Sequence, residues 1–139
     1  MKNATLCGEG RIRKGIRLPG DQEKFVEDLI STGKPVILVV FGGRAQVLSE
    51  KIRNGAMAIL SAWYPGEEGG NAVADIIMGK KSPSGKLCVS YPSDESREPL
   101  CYNYGEPVSE RVAYPFGHGL SYSNFKYTLK DCNHKSRTW

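Results

Sequence analysis

One carboxylate in this chain sits where it can be carried into a cleft: Glu9, between Gly8 and Gly10. Flanking glycines open backbone angles closed to other residues, so the side chain can reach a neighbouring surface. A carboxyl group so placed can give and take a proton. Taken alone, the string equally describes an exposed glutamate on a flexible loop. Two other loops are glycine-rich: Gly42-Gly43-Arg44, after an apolar run, and Gly66-Glu67-Glu68-Gly69-Gly70, before a helical pattern. Neither is a G-x-G-x-x-G loop or a P-loop, and the two acids of the second repel phosphate, so no nucleotide cofactor is expected. Cys7, Cys88, Cys101 and Cys132 form no Cys-x-x-Cys pair. No zinc or other metal site is expected, and reduced thiols are the simpler reading.

These residues need elements to place them. Residues 21–32 read as a helix: Leu18-Pro19-Gly20 makes a turn, Asp21 can cap, and Phe25, Val26, Leu29 and Ile30 share a face. Gly33 ends it. Residues 35–41 form a continuous apolar run, the mark of a strand buried on both faces. Residues 46–53 read as a second helix with Val47, Leu48 and Ile52 inward, and residues 56–63 as another buried strand. A third helix is expected from Asn71, as cap, to Met78, with Gly79 as its stop. Residues 87–91 and 125–129 complete the list as strands. This order predicts an α/β fold, a three-layer sandwich with a mostly parallel sheet flanked by helices. In such sheets ligands bind beyond the carboxyl ends of the strands. The loops expected there are Gly42-Gly43-Arg44, residues 65–70 and the turn after Tyr91.

The 139 residues suit one domain, here residues 1–131, followed by a polar tail at 132–139. Hydrophobic content of 40% and charged content of 24% are ordinary for a globular protein. The net charge of +4 is mild, and the basic residues are scattered apart from Arg11, Arg13, Lys14 and Arg17. Nucleic-acid readers carry a denser basic face, so no nucleic acid is expected as a partner. No apolar run is long enough to span a membrane, and residues 1–7 lack the apolar stretch of a secretory signal. Cytoplasm is the default expectation, with a periplasmic or secreted location open if the start is a truncation.

The last third carries the most specific pattern. Ser82-Pro83-Ser84-Gly85-Lys86-Leu87 is followed by Tyr114-Pro115-Phe116-Gly117-His118-Gly119-Leu120-Ser121-Tyr122-Ser123-Asn124-Phe125. Upstream stand Leu18-Pro19-Gly20-Asp21-Gln22 and the string from Ala62-Trp63-Tyr64-Pro65-Gly66 to Gly79. These motifs, in this order, closely resemble the second domain of glycoside hydrolase family 3, the group of β-glucosidases and β-xylosidases. The resemblance runs over nearly all of residues 8–127.

It implies a retaining glycosidase acting on a β-linked oligosaccharide or glycoside. Retention uses two carboxyl groups roughly 5 Å apart, a nucleophile and an acid/base. In many members a "GEG" loop carries the acid/base glutamate, which puts Glu9 in that role. Arg13, Trp63 and Tyr64 are the substrate-binding candidates the resemblance suggests; the two rings can equally serve as core or loop packing. The nucleophile is an Asp on a (β/α)8 barrel, which this chain does not contain, so a barrel domain or subunit is the implied partner. Two departures stand out. The family often has Asp-Arg after the glutamate loop where this chain has Ile12-Arg13, which removes a carboxylate able to orient that loop. His118 replaces a usual Tyr and reads as a packing or hydrogen-bonding group rather than a catalyst. The alternatives are a non-catalytic carbohydrate-binding or barrel-docking module, and an inactive truncated product.

Overall fold

A computed structural model describes residues 13–97 and 111–128. Glu9, the polar tail, Leu129 and the cysteines other than Cys88 lie outside the described residues.

Gly20 takes a left-handed φ of 59° and turns the chain into α1, Gln22–Ser31. Asp21 stands at its N-cap with no side-chain cap bond; its carbonyl instead accepts from the Phe25 amide at 2.9 Å. Val26 is the buried residue of the helix, while Phe25 stays exposed. Gly33, at φ 73°, ends it and donates to the Ile30 carbonyl. The chain then enters β1, Ile37–Phe41, which pairs in parallel with β2, Ala58–Trp63. The helix between them, α2, is Glu50–Gly55. Helix, strand, helix, strand with a parallel pair is the α/β arrangement expected from the sequence.

The core lies between the helices and the sheet. Val26, Leu48 and Ile52 form it, with Leu18, Ile30, Leu38 and Ile59 packed around them. The helices approach closely because Gly55 has no side chain: a Cβ there would stand 2.5 Å from the Ile30 methyl. Ser49 joins them chemically, capping α2 through the Ile52 amide at 3.3 Å and donating to the Glu27 carboxylate of α1 at 2.5 Å.

Several sequence expectations are corrected. The second helix begins at Glu50, not Gln46. Ser49 is its cap, and Val47 spends its amide on the Ile16 carbonyl in a parallel bridge with Arg17. Val47, Leu48 and Ile52 are buried as expected. β1 and β2 are half-buried rather than buried on both faces, since each has only the other as a ladder neighbour among the described residues. The third helix, α3, is Gly69–Ile77, starting ahead of Asn71. Gly69 lies so close to Pro65 that a Cβ would sit 2.5 Å from the ring, and Asn71 binds the Glu68 carboxylate instead of capping. In place of a strand over residues 87–91 there is a short β3, Tyr91–Pro92, antiparallel to β4, Val112–Tyr114. Pro92 has no N–H to extend a ladder. The described part of the other expected strand, residues 125–128, is exposed and irregular.

Candidate functional site

The carboxyl ends of β1 and β2 bring two loops together. The register slips between Val40 and Phe41, so that Phe41 faces Trp63 and the Gly42 amide donates to the Trp63 carbonyl at 3.2 Å. Trp63 has φ 50°, a left-handed angle costly for a bulky residue, on the order of 1–3 kcal/mol. Its ring meets Tyr91 edge-on at 6.4 Å, Tyr91 meets Tyr114 at 6.3 Å, and Tyr114 meets His118 at 5.4 Å. Trp63 is thus built into an aromatic file, and His118 packs at its far end. Tyr64 turns the other way. It is 67% exposed, and its ring lies on Gly43, where a Cβ would stand 2.6 Å from it. Only glycine allows that contact.

The same end of the sheet receives the chain that follows Glu9. Arg44, on the loop after β1, donates to the carbonyls of Arg13 and Gly15, both at 3.4 Å. The Arg13 guanidinium folds back onto the Arg17 carbonyl. Arg17 pairs with Glu23 of α1 at 2.8 Å. Arg13 and Tyr64 therefore flank the Gly42-Gly43-Arg44 loop, while Trp63 points into the aromatic file. Glu9 lies outside the described residues.

The residue that sequence reasoning missed is Glu95. Its Oε1 accepts from the amides of Ile16 at 2.8 Å and Arg17 at 3.2 Å. Charge-assisted bonds of this kind are about twice as strong as neutral ones. Glu95 belongs to the turn after Tyr91, already expected near the strand ends, but nothing in Asp94-Glu95-Ser96 names its target. Arg44 was in view only as part of a glycine loop.

Burial pushes the Tyr91 phenol up, against a 2.7 Å bond with Ser61 that pulls it down. Burial also raises Tyr114, opposed by the positive charge of Arg53. Among the described residues no group of three or more His, Cys, Asp or Glu is placed to hold a metal ion, and no helix is long and apolar enough to cross a membrane.

A parallel α/β layer with its loops gathered at the strand ends defines a domain class that builds sites at that edge. Within it, the model of the glycosyl hydrolase family 3 C-terminal domain matches residues 1–122, and the chain belongs to this family. A periplasmic beta-glucosidase of Salmonella typhimurium is 36% identical over 151 aligned positions, covering 96% of this chain and 19% of that protein. A beta-xylosidase of Formosa agariphila is 39% identical over 132 positions, covering 87% and 18%. The crystal structure of beta-glucosidase from Listeria innocua in complex with glucose superposes with a TM-score of 0.76 at 33% identity, covering 86% of this chain and 19% of that one. The chain thus spans less than a fifth of the length of the relatives it matches.

Proposed function

We propose that this chain contributes the acid/base loop of a retaining β-glycosidase that removes terminal β-linked glucose- or xylose-type sugars. Glu9 protonates the departing glycosidic oxygen and then takes a proton from the water that cleaves the glycosyl intermediate. The nucleophile, an Asp, comes from a (β/α)8 barrel outside these 139 residues. A neighbouring anionic nucleophile and exclusion of water both favour the protonated carboxyl that the first step needs. The observation that carries this reading is the docking of residues 13–17, just after Gly8-Glu9-Gly10, at the carboxyl end of β1. The names of the relatives support the substrate class.

The test is Glu9→Gln in the chain joined to such a barrel. Turnover of an alkyl β-glucoside should fall by about 10²- to 10⁴-fold. Azide should trap the glycosyl intermediate as the β-azide, which reports retention. Undiminished turnover would remove Glu9 from the mechanism. Without the barrel the chain should not turn over glycosides; aryl-glucoside hydrolysis by the pure chain, abolished in Glu9→Gln, would overturn that. The exposed ring of Tyr64 favours a second reading, sugar binding without catalysis. Saturable binding of a β-glucoside by a barrel-joined chain that shows no turnover would select it.

A further inference from the structure

We propose that Glu95 is a positioning residue for the loop that carries Glu9, an inference that rests on the acid/base reading above. Its carboxylate fills an anion-binding concavity of the main chain. Gly15 is left-handed at φ 77°, and the next two amides, of Ile16 and Arg17, converge on Oε1 at 2.8 and 3.2 Å. The Arg17 Nε lies 3.7 Å from Oε2. A Cβ at Gly15 would stand 2.6 Å from Oε1, so glycine is what leaves room for the carboxylate.

Both sides of this clamp are anchored. Glu95 opens the short 3-10 turn Glu95–Arg97 that follows β3. Beside it, the Ser93 amide donates to the Arg111 carbonyl at 3.0 Å, and Arg53 of α2 donates to the Ser93 carbonyl at 2.9 Å. On the other side, the Ile16 carbonyl accepts from the Val47 amide at 3.0 Å, and Ile16 is buried. Gly15 stands six positions after Glu9 in the sequence. A few residues beyond Glu9 the chain thus meets a segment whose amides this carboxylate holds, while Arg44 holds its carbonyls. Without that carboxylate two backbone N–H groups lose their acceptor, and the turn is held only through its carbonyls and the Arg17–Glu23 pair. Displacing a catalytic group by about 1 Å can cost on the order of 100-fold in rate.

The experiment has two arms. In the full chain, trypsin reports the segment through cleavage after Lys14 and Arg17. Glu95→Ala should speed those cuts about tenfold while leaving cleavage after Lys24 and Lys51 unchanged. Glu95→Gln keeps an acceptor oxygen and should stay close to the parent rate. Equal rates in parent and Glu95→Ala overturn the clamp. In the chain joined to the barrel, Glu95→Ala should lower kcat for methyl β-glucoside by about 10- to 100-fold with little change in KM. A 2,4-dinitrophenyl β-glucoside, whose leaving group departs without a proton, should keep most of its kcat/KM, which reads only the step that needs no acid, and Glu95→Gln should restore most of the methyl glucoside rate. No loss, or the same loss of kcat/KM on both substrates, overturns the positioning role. Glu9→Gln is measured alongside: if it matches the parent on both substrates, the acid/base reading fails, and the trypsin arm still decides the clamp.

Discussion

Two irregular stretches, residues 13–17 and 117–122, are held by one segment from its opposite ends. At one end, Leu87 exchanges backbone bonds with Gly117 and His118, each 2.8 Å, and Ser90 Oγ accepts from the Phe116 amide at 3.0 Å. At the other end, Glu95 gathers the amides of Ile16 and Arg17. The C-terminal stretch is secured by many bonds at once, the two Leu87 backbone pairs together with side chains of Ser82, Lys86 and Tyr122, with Phe116, Leu120 and Tyr122 left exposed. The N-terminal stretch is secured mainly by charged side chains, Glu95 on its amides and Arg44 on its carbonyls, with Ile16 buried and its carbonyl taking the Val47 amide. Backbone pairs survive most substitutions, because every residue except proline supplies both groups. A carboxylate clamp depends on one glutamate and one glycine, so the two stretches should respond very differently to single changes.

The sharpest way to break the comparison is Gly15→Ala. It forces an L side chain into a left-handed angle and drives a Cβ against the clamping oxygen. Strain plus a displaced charged acceptor should cost on the order of 3 kcal/mol, read from urea unfolding. Gly119→Ala is the matching change in the other stretch. Its Cβ would meet the Gly85 carbonyl oxygen, and Lys86 Cδ at 2.9 Å, but φ is not left-handed there. Overpacking alone should cost about 2 kcal/mol. A larger loss at Gly119 than at Gly15 would reverse the ranking of the two anchors.

The sequence made one of these anchors far more visible than the other. Alternating Gly, Pro and aromatic residues near 117 announce an ordered loop, and helical spacing announces Val26 and Ile52 as core. Ser49 ahead of Glu50 was a cap signal in plain view; the apolar Val47 and Leu48 hid it by matching a helical face as well as an extended one. Glu95 had no local signal, because its partners lie 78 and 79 positions away. The left-handed turn of Trp63 was equally hidden, since it follows from the register slip against Phe41 rather than from any neighbouring residue. The candidate Glu9 was legible as a motif, whereas what orients its loop was not. Ile12 stands where the resemblance leads one to look for a carboxylate, and Glu95 brings one to Ile16 and Arg17 from a distant turn.

β3 lies between the two anchors, which makes Tyr91 the next position to change. Tyr91→Phe removes the 2.7 Å bond to Ser61 and should cost about 1 kcal/mol. The phenol also has a pH signature. Burial raises Tyr91 and Tyr114 above the ordinary value of 10.0, so the native state keeps protons that the unfolded chain gives up. Their contribution is complete below the unfolded pKa and is lost as pH rises through the folded one. The unfolding midpoint should therefore fall as pH rises above about 10, and fall less steeply in Tyr91→Phe. Identical slopes in parent and variant would show that Tyr91 does not carry this linkage.

The smallest effect belongs to Ser82→Ala. Ser82 Oγ contacts Ser121 Oγ at 2.9 Å and accepts from the Tyr122 amide at 3.0 Å, so the variant removes side-chain support from the C-terminal stretch. Both bonds are exposed, and water can replace them. The Tyr122 hydroxyl still donates to the Ile76 carbonyl at 2.9 Å, and the Leu87 pairs remain. A loss of about 0.5 kcal/mol is expected in urea unfolding, with amide exchange faster at Tyr122 and unchanged at Ile16. Were exchange at Ile16 to quicken as well, the two stretches would be coupled through the shared segment, and the contrast between a distributed anchor and one centred on a carboxylate would fail.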